Sequence, residues 1–187
     1  KQEKDIDIST IKYSYEVPLF KKTKTKPKYV PEKSGLNWAN STGHVAIGDA
    51  YIRIPKELLE ETQNLIPAYK KDYYVPEGKK KRLSDPIEII WDDGTIMEAS
   101  LEGIQTFKNQ EFPKNLTSFS SKKALFSENG KRMSKKSIMG RYLRNRIGVT
   151  LEKVITINDL NNYGRDTITL SLISEGVYYC DFSVKKR

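Results

Sequence analysis

The sequence is poor in the residues that carry most metal and covalent chemistry, with one cysteine, Cys180, and one histidine, His44. A single cysteine excludes an internal disulfide and a cysteine-based zinc site, because both need several thiols. No apolar run approaches the roughly 18 residues of a membrane span, and the first ten residues lack the apolar stretch of a signal peptide. We therefore expect a protein of a reducing cytoplasm with no membrane partner.

Sequence patterns for catalysis are also missing. His44 is not followed by the lysine of the His-x-Lys motif of phospholipase-D-type nucleases, and Glu98 lacks the lysine of a PD-(D/E)xK metal nuclease. The scattered glycines form neither GxGxxG nor GxxxxGK. Asp92 and Asp93 are typical turn residues. The sequence thus predicts a chain with no catalytic residue, no metal and no cofactor, in which His44 lies on the surface or binds a partner.

Positive charge, in contrast, is abundant and concentrated. The chain has 33 Lys and Arg against 24 Asp and Glu, a formal net charge of +9. Residues 108–146 hold eleven of these bases and two of the acids, so the rest of the chain carries 22 of each. Charge of one sign in one segment attracts polyanions, whose phosphates release counterions when they are neutralised. This pattern predicts a nucleic-acid partner, and the competing interpretation is a solvated basic face.

Short elements separated by turns predict a single β-rich α+β domain, most simply an antiparallel barrel or pseudobarrel with short helices at the connections. Alternating apolar residues predict a leading strand pair in 6–17, strands at 36–38, 50–54 and 115–118, a hairpin over 85–103 turning at Asp93-Gly94, and two final strands joined at Glu175-Gly176. Helices are expected from Pro55 to Pro67, from Lys135 to Arg146, and as a single turn from Thr156 to Gly164.

Basic residues are expected mostly on the outside of this domain. In the helix over 135–146 the apolar residues share one side, so Arg141, Arg144 and Arg146 should face outward. The stretch KKTKTKPK (21–28) is typical of a linker or mobile arm. The segment from Ser120 to Ser134 has no period and is typical of an insertion or flexible loop.

Two polar excursions, 37–49 and 102–115, interrupt the predicted strands. Both are rich in Asn, Gln, Ser, Lys and acidic residues, which are able to hydrogen-bond to base edges in the major groove of DNA. The basic loops beside them would supply phosphate contacts, which orient a protein without reading sequence. Ordinary loop polarity explains the same composition equally well.

Six sequence motifs, in their order along the chain, resemble the C-terminal domain of NgoFVII-type and BfiI-like restriction endonucleases. They are SGLNWANSTGHVAIGDAYIRIPKE, IEIIWDDGTIMEASLEG, FPKNLTSF, SIMGRYLRNRIGV, ITINDLNNYGR and VYYCDF, and they cover roughly Ser34 to Phe182. In those enzymes a phospholipase-D-like nuclease domain precedes a DNA-recognition domain similar to the plant B3 domain. The resemblance implies a B3-like seven-stranded DNA-binding pseudobarrel that embraces the major groove with two arms. In this sequence the resemblance places the two arms at Asn37–Asp49, which we call the N-arm, and at Glu102–Phe112, which we call the C-arm.

The resemblance implies the target-recognition domain of a type II restriction endonuclease, part of a prokaryotic restriction-modification system. Such a domain binds double-stranded DNA sequence-specifically, and cleavage belongs to the nuclease domain of the same polypeptide. Expected base contacts are Asn37, Trp38, Ser41, His44, Asp49, Gln105, Lys108 and Gln110. Expected phosphate contacts are Lys33, Lys79, Lys80, Lys114, Lys122, Arg141 and Arg165. Trp38 serves equally well as a packing anchor, and Arg165 as a partner of Asp166 or a cover of the barrel end.

Domain organisation and two other functions stay open at this point. We expect an N-terminal extension or linker over 1–33, a B3-like domain over 34–187 that is monomeric when isolated, and an excerpt from a longer chain because no initiator Met is present. One alternative function is a single-stranded nucleic-acid module that stacks bases on aromatic rings, such as the tandem tyrosines 73–74 and 178–179. Another is a complete small nuclease that uses His44.

Overall fold

The computed structural model describes residues 7–79, 82–120, 127–128, 131–132 and 134–185. Its strands are β1 (Tyr13–Pro18), β2 (Ile52–Arg53), β3 (Ile87–Trp91), β4 (Ile96–Glu102), β5 (Gln105–Phe107), β6 (Gln110–Phe112), β7 (Asn115–Ser118), β8 (Ser127–Glu128), β9 (Lys131–Arg132), β10 (Thr167–Ser174) and β11 (Val177–Asp181). The α-helices are α1 (Lys56–Glu61), α2 (Ser137–Ile147) and α3 (Ile157–Tyr163), and 3-10 turns span Ile8–Thr10 and Gly35–Asn40.

Seven strands form one sheet in the order β1-β10-β11-β3-β4-β7-β2. All neighbours are antiparallel except β11 and β3, which are parallel. The sheet curls into a nearly closed barrel, because Val17 of β1 and Ile52 of β2, the two edge strands, line the same small internal cavity. This confirms the predicted β-rich α+β fold with short helices at the connections.

Part of the barrel core is formed by the last two strands, β10 and β11, whose side chains point alternately inward and outward. Ile168 and Leu170 of β10, and Tyr178 and Cys180 of β11, point inward and are buried. Full burial of a large apolar side chain contributes about 1.5–3 kcal/mol each. Burial also raises the pKa of the Cys180 thiol, so this cysteine is an unreactive core residue.

The first strand belongs to the barrel. β1 pairs with β10 over six residues instead of forming a leading hairpin, and Val17 is buried in the core. The predicted division between 1–33 and 34–187 therefore does not coincide with a break in the sheet. The basic stretch expected to be a mobile arm is a closed turn, since the backbone groups of Lys21 and Tyr29 exchange two hydrogen bonds of 2.8 and 2.9 Å.

Two predicted elements differ in type or length. The segment predicted as a strand at 36–38 lies in the 3-10 turn Gly35–Asn40. The helix predicted to run to Pro67 ends at Glu61, and the left-handed φ of 70° at Asn64 prevents its continuation. The hairpin at Asp93-Gly94, the strand at 115–118 and the final two strands are confirmed.

The prediction that the arginines of α2 all face outward is wrong for two of them. Arg144 is only 3% exposed, and its Nη1 donates to the carbonyls of Thr150 and Lys153 at 2.9 and 2.6 Å. Arg146 donates to both carboxylate oxygens of Asp92 at 2.7 and 2.8 Å. The charge of both side chains is therefore used within the protein.

The short helix α3 forms as predicted, with a capping box in which the side chain of Thr156 accepts from the Asp159 N–H and the Asp159 carboxylate accepts from the Thr156 N–H. Of the segment predicted as an insertion, the backbone of β8 and β9 is described, and these two short strands pair. Residues 121–126, 129–130 and 133 lie outside the described residues.

Candidate nucleic-acid interface

The outer surface of β4, β7 and β2 carries both polar excursions. In the sheet register Glu102 and Arg53 are both partners of Asn115. Their neighbours Leu101 and Leu116 are buried in the core, so alternation directs Glu102, Arg53 and Asn115 outward. The N-arm enters β2 and the C-arm joins β4 to β7. We call this outer surface of β4, β7 and β2 the arm-bearing face.

The N-arm is closed at its root by internal hydrogen bonds. The Ala39 N–H donates to the Asp49 carbonyl at 3.1 Å. Asp49 is buried, and its carboxylate accepts from the Ala46 N–H at 2.9 Å. Asp49 therefore bonds within the loop through one of its two carboxylate oxygens.

Asn37, predicted to contact a base, is also part of this root. Its side chain is 0% exposed. Its amide nitrogen donates to the carbonyls of Pro31 and Ile155 at 2.9 and 2.8 Å, and its amide oxygen accepts from the Ile155 N–H at 2.8 Å. Because the amide is fully used within the protein, Asn37 ties the N-arm to the segment before α3 and is unsuited to read DNA.

The tip of the N-arm is open to solvent. His44 and Thr42 are exposed and Ser41 is half-buried. Gly43 has a φ of 142° with no atom near the place of a Cβ, as in a projecting turn. Of the predicted base contacts in this arm, His44 is exposed, Ser41 and Trp38 are half-buried, and Asn37 and Asp49 are buried.

The C-arm is the hairpin of β5 and β6. Its two-residue turn places Lys108 and Asn109 in the left-handed region, with φ of 47° and 62°. Such a turn matches the twist of a two-stranded ribbon. The rings of Phe107 and Phe112 meet at 6.1 Å between centroids and pack against the core. This packing fixes the base of the arm and leaves the exposed turn projecting.

Tyr69 holds the C-arm from the side. Its N–H donates to the Glu111 carbonyl at 2.8 Å and its hydroxyl to the Gly103 carbonyl at 2.7 Å. Burial and the nearby Glu102 charge raise the pKa of Tyr69 to about 12. The hydroxyl is therefore a permanent donor at neutral pH, and it anchors the beginning of the arm.

The two predicted glutamines of the C-arm have different surroundings. The Gln105 amide nitrogen donates to the carbonyls of Ile54 and Pro113 at 3.0 and 2.8 Å, which braces the arm against the end of β2. Gln110 is exposed and lies on the same hairpin face as Phe107 and Phe112. Lys108, at the turn, is exposed as well.

One lysine connects the roots of the two arms. The Lys136 ammonium, just before α2, lies 3.0 Å from the Glu102 carboxylate of the C-arm. It also lies 5.1 Å from the ring centroid of Trp38, which meets Tyr51 edge-on at 5.4 Å. Trp38 thus packs at the arm's root, the second of its two predicted roles. Lys136 was not among the site residues predicted from the sequence. The signal that points to it is the Lys135-Lys136 pair just before α2.

The backbone of α2 lies in close contact with the end of the N-arm. Gly140 of α2 faces the Gly48 carbonyl so closely that a Cβ would collide with it. Gly48 itself has a φ of 85°, with the side chain of Arg141 beside it. The predicted phosphate residue Arg141 therefore lies next to the base of the N-arm.

The other predicted phosphate contacts are dispersed. Lys33, Lys79 and Lys114 are exposed, and Lys80 and Lys122 lie outside the described residues. Arg165 is used internally, donating to the Thr167 carbonyl at 2.9 Å and the Ser183 carbonyl at 3.0 Å. The guanidinium of Arg165 is therefore bonded within the protein. Its ionic partner is Asp181, at 3.3 Å, instead of the adjacent Asp166.

The tandem tyrosines do not form a stacking platform in β11. Tyr178 is 2% exposed, and its hydroxyl donates to the Leu65 carbonyl at 2.7 Å. Tyr73 donates to the Asp85 carboxylate at 2.8 Å, while Tyr74 is exposed. This geometry gives the single-stranded alternative no support at positions 178–179.

Within the described ranges, no three His, Cys, Asp or Glu side chains are grouped as metal ligands. None of the helices in the described part of the chain is long and apolar enough to span a membrane.

Residues 10–174 match the family model of the NgoFVII C-terminal B3-like DNA-binding domain. The chain belongs to this family. The matched range of this B3-like domain begins before β1, includes both arms and ends with β10. Membership supports DNA binding, and it confirms the resemblance and fold predicted from the six motifs. No curated protein matches the chain.

Proposed function

We propose that this B3-like domain binds double-stranded DNA sequence-specifically, with the N-arm and C-arm in the major groove. It would act as the target-recognition domain of a type II restriction endonuclease in a prokaryotic cytoplasm. Cleavage would belong to a nuclease domain of the same polypeptide, and the isolated B3-like domain would be monomeric. One observation carries the proposal: both arms have roots fixed by hydrogen bonds, buried in the N-arm and partly buried in the C-arm, and tips that are exposed and polar.

An arm that is held at its root and exposed at its tip is suited to contact DNA base edges. A side chain discriminates bases only when its donor and acceptor are held in register with the base edges. Asn37 and Gln105 hold the two arms through backbone carbonyls on neighbouring segments. A two-stranded ribbon like the C-arm is narrow enough to enter the roughly 12 Å major groove.

The proposed base contacts are accordingly the tip residues. We assign this role to Ser41 and His44 in the N-arm and to Lys108 and Gln110 in the C-arm. Serine and histidine donate or accept, lysine donates to guanine O6 and N7, and a glutamine amide pairs with adenine N6 and N7. Trp38 anchors the N-arm, and the phosphate role is proposed for Lys33, Lys79, Lys80, Lys114, Lys122 and Arg141.

Selection of bound duplexes from a randomised pool at two salt concentrations tests the proposal. Phosphate contacts weaken steeply with salt whereas base discrimination persists. We expect a short motif to be enriched at the higher salt. An unenriched pool together with collapse of affinity in salt would leave a non-specific DNA-binding domain and overturn the recognition role.

A further inference from the structure

Two cations from distant parts of the chain lie over one aromatic ring. The guanidinium carbon of Arg82 is 4.8 Å from the Phe119 ring centroid, and the Lys135 ammonium is 5.1 Å from it. Arg82 closes the basic loop GKKKR, and Lys135 directly precedes Lys136. The fold thus brings together two basic segments that are more than fifty residues apart in sequence. We call Arg82, Phe119 and Lys135 the Phe119 cluster.

The Phe119 cluster lies beside the arm-bearing face. Phe119 directly follows β7, and its N–H donates to the Glu98 carbonyl of β4 at 3.1 Å. The preceding Ser118 donates its hydroxyl to the Lys135 carbonyl at 2.8 Å. Lys136, next in the chain, contacts Trp38 at the root of the N-arm. The cluster therefore continues β7 at the end where the N-arm emerges.

The two cations are held in place without an anionic partner among the described residues. Lys136 and Arg146 each pair with a carboxylate, whereas neither Arg82 nor Lys135 has one within ion-pair distance in the described part of the chain. Attraction to the ring quadrupole orients a cation without neutralising its charge. Among the described residues, no carboxylate therefore neutralises the positive charge of Arg82 or Lys135.

We propose that the Phe119 cluster binds the phosphodiester backbone of duplex DNA next to the N-arm. This inference rests on the proposed function and adds phosphate contacts that the sequence patterns did not single out. Arg82 offers the planar fork that binds phosphate oxygens through two hydrogen bonds, and Lys135 acts as a point charge. With two cations over it, the ring of Phe119 serves to place them and is not open to a stacking base.

Salt dependence of duplex binding by the full 187-residue chain tests the cluster. Each phosphate contact contributes a slope of about 0.9 to log K against log salt. The double variant Arg82→Gln/Lys135→Gln should flatten the slope by about 1.8, which is two contacts at that value. Its affinity should fall by the same factor on selected and random duplexes, since phosphate contacts carry no base information.

A charge-matched control separates local contact from net charge. Lys12→Gln/Lys185→Gln removes two exposed lysines that lie before β1 and after β11 and belong neither to an arm nor to the Phe119 cluster. This control should keep the wild-type slope. Phe119→Leu retains both charges but removes the ring that places them, so it should weaken binding with little change in slope.

The possible outcomes are distinguishable. Failure of the wild-type chain to bind duplex would overturn the proposed function itself. Wild-type binding with an unchanged slope in the double variant, or an equal loss in the control, would overturn the cluster alone. Thermal unfolding of each variant checks the fold, and Lys135→Gln alone, expected to lower the slope by about 0.9, decides the question if the double variant unfolds.

Discussion

Glu102 and Lys136 form an ion pair of 3.0 Å that joins the root of the C-arm to the residue before α2. Both side chains are about one third exposed, at 36% and 37%, and such surface pairs contribute about 0–1 kcal/mol to stability. The pair therefore matters through geometry and charge more than through stability. It fixes one arm against the other and places a carboxylate on the face proposed to meet DNA.

Glu102→Gln should alter DNA binding without unfolding the protein. Without the carboxylate, Lys136 is free to contact a DNA phosphate, and the repulsion between Glu102 and the DNA backbone is lost. The affinity for random duplex should therefore rise. Loss of the link between the arms should reduce the ratio of affinities for selected and random duplexes. Titrations with both duplexes measure this, and weaker binding to random duplex with an unchanged ratio would contradict the explanation.

Gly140→Ala should destabilise the domain. A Cβ at this position collides with the Gly48 carbonyl, and overpacking of this kind costs about 1–3 kcal/mol or more. The helix propensity of alanine offsets this by only about 1 kcal/mol. Urea unfolding measures the difference. The matched control is Asn145→Ala at an exposed site of the same helix, which should not destabilise, and an equal response of both variants would refute the close contact.

Asn37→Ala should lower stability and leave base preference unchanged. The variant leaves the Ile155 N–H without its acceptor and removes four hydrogen bonds in all, including the longer one from Arg144. An unsatisfied buried group costs about 1–3 kcal/mol. Asn40→Ala is the control, because the exposed Asn40 makes one longer bond, 3.3 Å to the Glu32 carbonyl. Denaturant unfolding measures the loss. A variant of wild-type stability that prefers different bases would show that Asn37 reads DNA.

Asp159→Asn should change the acid stability of the domain. Burial acts to raise the pKa of Asp159, but hydrogen bonds from Lys153 and Thr156 and the Lys153 charge outweigh it and lower the pKa. A carboxyl whose pKa is lower in the folded state than in the unfolded state stabilises the fold when it is ionised. This contribution to the free energy of unfolding is complete above the ordinary pKa, 3.8, and is lost as the pH falls through the folded-state pKa. The wild-type advantage, about 0.3–1 kcal/mol for a carboxylate in the first turn of a helix, should therefore be present at pH 7 and vanish in strong acid. Urea unfolding across pH measures it, and a difference independent of pH would contradict this assignment.

The elements that sequence predicts well are those fixed by local chemistry. Asp93-Gly94 sets its hairpin because the glycine accepts a φ of 85°, and Thr156 with Asp159 begins α3 through a capping box. The two polar excursions also lie between strands as predicted from their polarity and length, since one precedes β2 and the other connects β4 to β7.

The roles within the arms depend on distant partners that periodicity does not reveal. Asn37 is polar, yet it is buried because the backbone of Ile155, 118 residues away in sequence, satisfies its amide. Arg144 was predicted on the polar side of α2 but is buried, because the backbone carbonyls of Thr150 and Lys153 accept hydrogen bonds from its guanidinium. Residue type alone does not distinguish such internally bonded groups from exposed side chains such as His44.

The most direct measurement is the ratio of affinities for a selected and a random duplex, compared between the wild-type chain and His44→Ala and Lys108→Ala variants. Each side chain proposed to contact a base should carry discrimination of about 1–3 kcal/mol at one position. If the arm tips read bases, each variant should lose affinity for the selected duplex and keep its affinity for the random duplex at high salt. Equal losses on both duplexes would contradict base reading by the arm tips.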